Sequence, residues 1–130
     1  MGAWGHGVFD NDMACDWAGD LGMLGRPHVH QALQVAASCG PRDYLDADDG
    51  QMAVAAAEVV ARWLGHAGAP FEPVDTWVGQ QSGVPDPSLV RRAVQALDRV
   101  LAPSSEIASL WGPASPWHAE VTALRARLGP

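Results

Sequence analysis

The hydrophobic pattern of the chain is organised around one stretch, Asp48–Gly65. After its acidic start, the only polar side chains are Gln51, Glu58 and Arg62, which share one narrow stripe at 100° per residue. A helix that is apolar on nearly all sides is buried on most of them. It is also too short and too charged for the roughly 20 apolar residues that a membrane-spanning helix needs. The pattern therefore predicts the buried central helix of a soluble, all-α domain.

Other segments repeat the helical period and carry recognisable ends. A capping residue followed by proline predicts helix starts at Pro87 and Pro116, and glycine predicts helix ends at Gly25 and Gly40. No alternation typical of β-strands is found. We expect a compact bundle of about six to seven helices, with approximate bounds 10–24, 27–38, 48–65, 73–81, 87–101, 104–111 and 115–129.

The first nine residues, MGAWGHGVF, show no helical pattern. Three glycines make this arm costly to order, so we expect Trp4 and Phe9 to hold it by packing against Trp17 and the central helix. The chain has no internal repeat or visible linker, and its length suits one domain. We therefore expect residues 1–130 to form a single helical domain, with the glycine-rich arm 1–9 packed on it.

Composition narrows the classes of partner. The formal net charge is −7, with eight Arg and no Lys. This acidic balance argues against nucleic-acid binding and against anionic membrane surfaces, and favours a basic protein partner. No secretory signal is visible, and the two cysteines lack CxxC spacing. These features predict a cytoplasmic protein with reduced thiols and no cofactor, while its oligomeric state stays open.

Two acidic segments, one at the start of the first helix and one just before the central helix, contain the candidate binding residues. Those residues are Asp10, Asn11, Asp12, Asp16, Asp46 and Asp49. For the first segment the preferred interpretation is helix capping with ion pairing, and the alternatives are a divalent-metal site or a metal-free binding or catalytic role. It lacks the alternating ligands of an EF-hand loop, so we predict no metal site.

No familiar catalytic motif is present, whether GxSxG, HExxH, a P-loop or GxGxxG. His28 and His30 lie two residues apart on a predicted helix and point to different faces, which disfavours a shared metal. Glu58 and Arg62 have the i, i+4 spacing of a helical ion pair. If their stripe is covered, both charges need further partners, because an unmatched buried charge costs several kcal/mol.

The opening MGAWGHGVFDNDMACDW resembles a bacterial family known as domain of unknown function 4259, whose opening reads approximately GAWG-x-G-x-F-(D/E)-ND-x-A-x-D-W. The matching positions are Gly2, Ala3, Trp4, Gly5, Gly7, Phe9, Asp10, Asn11, Asp12, Ala14, Asp16 and Trp17. The resemblance continues through Tyr44-Leu45, the AAAEVVA stretch around Glu58, and Ser105-Glu106 to Leu110-Trp111. It implies a small helical bacterial domain with no established activity, and it gives no role to His6 or Cys15.

The leading functional hypothesis is a non-enzymatic interaction domain, comparable in size and charge to small acidic inhibitor or immunity proteins. The alternative is a small hydrolase-like enzyme that uses the Asp10–Asp16 carboxylates, with or without a divalent cation. An enzyme needs those carboxylates in a cleft with perturbed pKa values. A binding protein needs only exposed acidic groups, so the placement of these side chains distinguishes the two hypotheses.

Overall fold

The predicted all-α fold is confirmed by a computed structural model that describes residues 5–129. The eight helices are α1 Asp12–Gly19, α2 Leu21–Leu24, α3 Arg26–Ala37, α4 Ala47–Trp63, α5 Glu72–Gly79, α6 Pro87–Val100, α7 Glu106–Trp111 and α8 Pro116–Arg127. An isolated parallel β-bridge joins Leu45 and Ser105. The buried hydrophobic residues form one continuous core.

Helix α4 lies at the centre of that core. It packs against α1, α3, α5, α6, α7 and α8, and all of its residues from Ala53 to Trp63 are buried. Its alanines leave room for the neighbouring helices to approach closely. In the sequence, Asp48 with Gln51 three residues later has the spacing of a capping box and predicts Asp48 as the N-cap of this helix. In the structure the N-cap is Asp46, whose carboxylate accepts the Asp49 N–H at 2.9 Å.

The first predicted helix is two helices in the structure, which raises the total to eight. At the break, the N–H of Asp20 bonds to the carbonyl of Trp17 at 3.2 Å, three residues back. This tighter turn separates α1 from α2. The remaining helices begin and end within two residues of their predicted bounds.

The side chain of Arg99 on α6 is buried and fixes the loop between α3 and α4. It donates to the carbonyl oxygens of Cys39 at 3.1 Å, Gly40 at 3.3 Å and Asp43 at 2.7 Å. These bonds satisfy carbonyls that follow the end of α3. They therefore position the second acidic segment, which begins in this loop.

The described part of the arm is held by Phe9, whose ring stacks on Phe71 with centroids 4.2 Å apart. The Arg62 guanidinium of α4 lies 5.6 Å from the Phe9 ring centroid, so the arm does contact the central helix. The Trp17 ring is itself stacked on His28, and Phe9 and Trp17 belong to the same hydrophobic core. Trp4 lies outside the described residues.

Two further observations concern the cysteines and the lengths of the helices. Both cysteines are free thiols, as predicted. Among residues 5–129, none of the helices combines the length and apolar character required to span a bilayer.

Gly50 provides a test of the close packing at the start of α4. A Cβ at this position would lie 2.9 Å from Cγ2 of Ile107 on α7. Since Ile107 is buried and β-branched, it has little freedom to move. We expect Gly50→Ala to lower the free energy of unfolding by about 1–2 kcal/mol in chemical denaturation, despite the better helix propensity of alanine.

Gly79→Ala is the matched control, because Gly79 is also helical and no atom lies within 4 Å of its added Cβ. Its stability should be unchanged or slightly higher. Equal stabilities for the two variants would contradict the close contact between α4 and α7.

Candidate functional site

The first acidic segment closes the turn that joins the arm to α1. The Asp10 carboxylate accepts the Gly7 N–H at 3.0 Å, and Asn11 caps α1 by accepting the Ala14 N–H at 2.8 Å. A Cβ on Gly5 or Gly7 would lie only 2.6 or 2.7 Å from the same Asp10 oxygen. The glycine spacing of the arm therefore serves this close approach, and Asp10 and Asn11 are used by the fold.

Asp12 and Asp16 point outward from α1 and are exposed, with no hydrogen bond to any described residue. Between them, Cys15 is half-buried and its thiol donates to the Phe9 carbonyl at 3.1 Å. Burial, followed by the charges of Asp12, Asp16 and Asp10, raises the pKa of Cys15. The thiol therefore stays protonated at neutral pH, whereas nucleophilic attack requires the thiolate.

No group of three or more histidine, cysteine or acidic side chains in residues 5–129 is arranged to hold a metal ion. The first acidic segment therefore lacks the convergent ligands that a divalent cation requires. Its carboxylates either bond to the backbone or face solvent.

In the second segment the three carboxylates at the start of α4 have different environments. Asp46 is the N-cap, Asp48 is exposed and Asp49 is half-buried. Burial, followed by the nearby charges of Asp46 and Asp48, raises the pKa of Asp49. No hydrogen bond or cation from a described side chain offsets these effects on Asp49.

Asp49 lies in a groove of about 250 Å³ between α1, α3 and α4. We call this groove the Asp49 groove; it is lined by Trp17, His28, Gln31, Ala32, Val35, Asp49 and Met52. The structure thus brings the second acidic segment next to α1, since Trp17 directly follows Asp16 in the chain. Asp10 and Asp46 do not line this groove.

One wall of the Asp49 groove is built on the pair of Trp17 and His28. Their rings stack with centroids 4.5 Å apart, and His28 Nε2 lies 2.8 Å from the Trp17 carbonyl oxygen. Because a carbonyl only accepts, Nε2 carries a proton and is the donor in this contact. Sequence analysis missed this pair, since no local pattern relates two residues on either side of a helix break.

A second cavity, of about 420 Å³, lies under the arm. At its base the Glu58 carboxylate is 1% exposed and accepts two bonds from the Arg127 guanidinium, at 2.6 and 2.8 Å. Arg62 Nε donates to Glu58 at 3.1 Å, and Arg62 Nη1 donates to Asp75 at 2.6 Å. The expected i, i+4 pair is therefore present, and because it is covered it has the additional partners that burial demands.

This ion network has further backbone partners. The carboxylate of Glu58 also accepts the Gly68 N–H at 3.4 Å, and Arg62 Nη2 donates to the Ala69 carbonyl. The hydrogen bonds that Arg127 donates to the Glu58 carboxylate raise the pKa of Arg127 above its ordinary value. The groups are fully engaged with one another, so the network serves the fold and presents no free base or nucleophile.

Comparison with known proteins bears on the chain as a whole. Residues 2–120 match a family model described as domain of unknown function (DUF4259). The chain belongs to this family. No curated protein and no solved structure matches it. The DUF4259 match includes Glu58 and Asp49 but ends before Arg127, so one of the two cations that neutralise Glu58 lies beyond the matched residues.

The ion network leads to a stability prediction. Glu58→Gln should lower the free energy of unfolding by about 3–5 kcal/mol, because it removes the carboxylate paired with Arg127 and one of the two carboxylates paired with the buried Arg62. Chemical denaturation measures this loss. As the control, Asp98→Asn removes the exposed ion pair with Arg125 and should have a much smaller effect. Similar losses in both variants would contradict a structural role for the buried network.

The network also predicts acid sensitivity through Asp75. Partial burial opposes its ionisation, but hydrogen bonds from Arg62 and the Phe71 N–H outweigh burial and lower the pKa of Asp75 below 3.8. A carboxylate with a lowered pKa stabilises the fold above its unfolded-state pKa, and this contribution is lost as pH falls through the folded-state value. Between pH 7 and about pH 2.5, wild type should therefore lose more unfolding free energy than Asp75→Asn.

The control for this experiment is Glu72→Gln, which changes an exposed carboxylate on the same helix that has no hydrogen bond to a described residue. Its acid sensitivity should follow wild type. If Asp75→Asn also follows wild type, the ion pair between Asp75 and Arg62 does not contribute.

Proposed function

We propose that this DUF4259 protein is a non-enzymatic interaction domain whose acidic surface binds a basic protein partner. The observation that carries the proposal is that Asp12, Asp16 and Asp48 are exposed and make no ion pair with any described residue. Together with a net charge of −7, they give part of the surface a field of one sign. Such a field speeds encounter with a cationic partner and is screened within about 10 Å at ordinary salt.

The state of the other polar groups argues against the hydrolase-like alternative. Asp10 and Asn11 bond to the backbone around the start of α1. Cys15 has a raised pKa, and Glu58 is neutralised by two guanidinium groups. General-base or nucleophilic catalysis requires a group within reach of substrate and free to take a proton or attack, and none of these groups has that freedom.

We also propose a cytoplasmic location for this function. The support is chemical, since both cysteines are free thiols, as is usual in a reducing compartment.

Partner capture tests the proposal, and the structure dictates which acids to change. Asp46 is one of the candidate binding residues of the sequence analysis, but it caps α4. Its replacement would therefore change stability as well as binding. Asp10 and Asn11 are unsuitable for the same reason. Asp48 is exposed in the first turn of α4 and makes no hydrogen bond to a described residue, so its replacement removes no capping bond.

We expect the full chain, used as bait in an extract of its native cell at low salt, to retain one specific basic protein and to release it at high salt. Asp48→Lys should weaken retention. Glu72→Lys makes the same charge change at an exposed first-turn acid of α5 and should retain the partner. Recovery of no basic protein, or equal loss in both variants, would contradict binding through this acidic surface.

A further inference from the structure

The Asp49 groove has an unusual balance of polar groups. No described residue donates a hydrogen bond to the Asp49 carboxylate, and His28 lines the groove with its Nε2 bonded to the Trp17 carbonyl. Gln31 adds a side-chain amide oxygen to the lining. The groove therefore offers several acceptors. Its side-chain donors are the Gln31 amide, the Trp17 indole N–H and the His28 N–H, which is already bonded to the Trp17 carbonyl.

One wall of the groove is a row of four residues on α3, and the last two of them are apolar. His28, Gln31, Ala32 and Val35 follow the i, i+3, i+4, i+7 spacing and share one face of α3. Val35 is 40% exposed at one end of this row, and Met52 lies three residues after Asp49 on α4. The groove thus combines an apolar wall, suited to an aliphatic stem, with acceptors suited to a cationic head.

We infer that the Asp49 groove binds an arginine side chain of the basic partner. This inference rests on the proposed function and names the place where that partner is anchored. Arginine has donors only, as the unoccupied acceptors require, and its guanidinium presents five N–H groups in a planar fork. A carboxylate takes such a fork in a bidentate manner, and its remaining N–H groups can serve a second acceptor. Lysine has a compact head with three donors and matches spaced acceptors less well.

Charge supports the same occupant. Asp49 is the half-buried acid whose pKa is raised by its surroundings, and a bound cation would supply the missing compensation. Its backbone N–H, by contrast, is already bonded to Asp46. Replacement of the Asp49 side chain therefore leaves the capping bond of α4 in place.

The test uses the isotopically labelled full chain and titration with N-acetyl-arginine amide, observed by two-dimensional NMR. We expect saturable shifts centred on Asp49, Met52 and the Trp17 indole N–H. N-acetyl-citrulline amide has nearly the same shape without the charge and should bind at least about tenfold more weakly. N-acetyl-lysine amide should also bind more weakly than the arginine probe.

Asp49→Asn should weaken arginine binding by about tenfold while leaving the rest of the spectrum unchanged. Asp48→Asn is the matched control and should bind as wild type, because Asp48 does not line the groove. Equal binding of arginine and citrulline probes, or shifts located elsewhere, would overturn the inference. Equal or stronger binding of the lysine probe would overturn the choice of arginine.

The two proposals fail in distinguishable ways. If the arginine probe does not bind the groove but the basic partner is retained and lost in Asp48→Lys, the groove inference is wrong and the proposed function stands. If the probe binds as expected but no basic protein is retained, the proposed function is wrong and the groove remains a guanidinium site.

Discussion

The fold depends on one buried charge. Glu58 lies in the middle of the apolar helix α4 and is 1% exposed, so its carboxylate requires counter-ions within the protein. Arg127, near the end of α8, provides one, and Arg62 provides the other while also bonding to Asp75 on α5. A single carboxylate thereby joins α4, the loop before α5, α5 itself and the last helix. The Phe9 ring lies against Arg62, so the arm depends on it as well.

This arrangement also determines where the protein carries its net charge. The network contains two carboxylates, Glu58 and Asp75, and two guanidinium groups, Arg62 and Arg127, so its charges cancel. The net charge of −7 must therefore arise from groups outside it. Several of those groups, including Asp12, Asp16 and Asp48, are exposed. The proposed binding function requires acidic groups on the exterior, whereas the hydrolase-like alternative would require reactive groups kept available inside a cleft.

Local signals were sufficient to predict most of the fold. The caps at Asn11, Asp86, Ser105 and Ser115 act through backbone groups two or three residues away, so the sequence alone reveals them. The cap of α4 was misplaced because its position depends on a distant contact. Leu45 is hydrogen-bonded to Ser104 and Glu106, and this pairing makes Asp46 the first residue able to cap.

The candidate sites were less predictable for the same reason. Arg127 lies 69 residues from Glu58, and no periodicity within α4 indicates which distant cation will cover its polar stripe. The Asp49 groove requires α1, α3 and α4 to meet, and its histidine looked unremarkable in the sequence. The acidic segments could be identified from composition. Only the structure separates acids that cap helices from acids that are available for binding.

Asp48 and Asp49 show why the environment of each acidic side chain matters for the proposed function. Both lie in the first turn of α4, where the helix dipole favours a negative charge, so stability alone gives a reason for an acid at either position. Asp48 keeps its charge in water, whereas Asp49 places its charge in a half-buried groove beside two other carboxylates. Local rules are most often broken where function requires it. The proposed cationic partner would give the Asp49 carboxylate, to which no described side chain donates a hydrogen bond, a role beyond the fold.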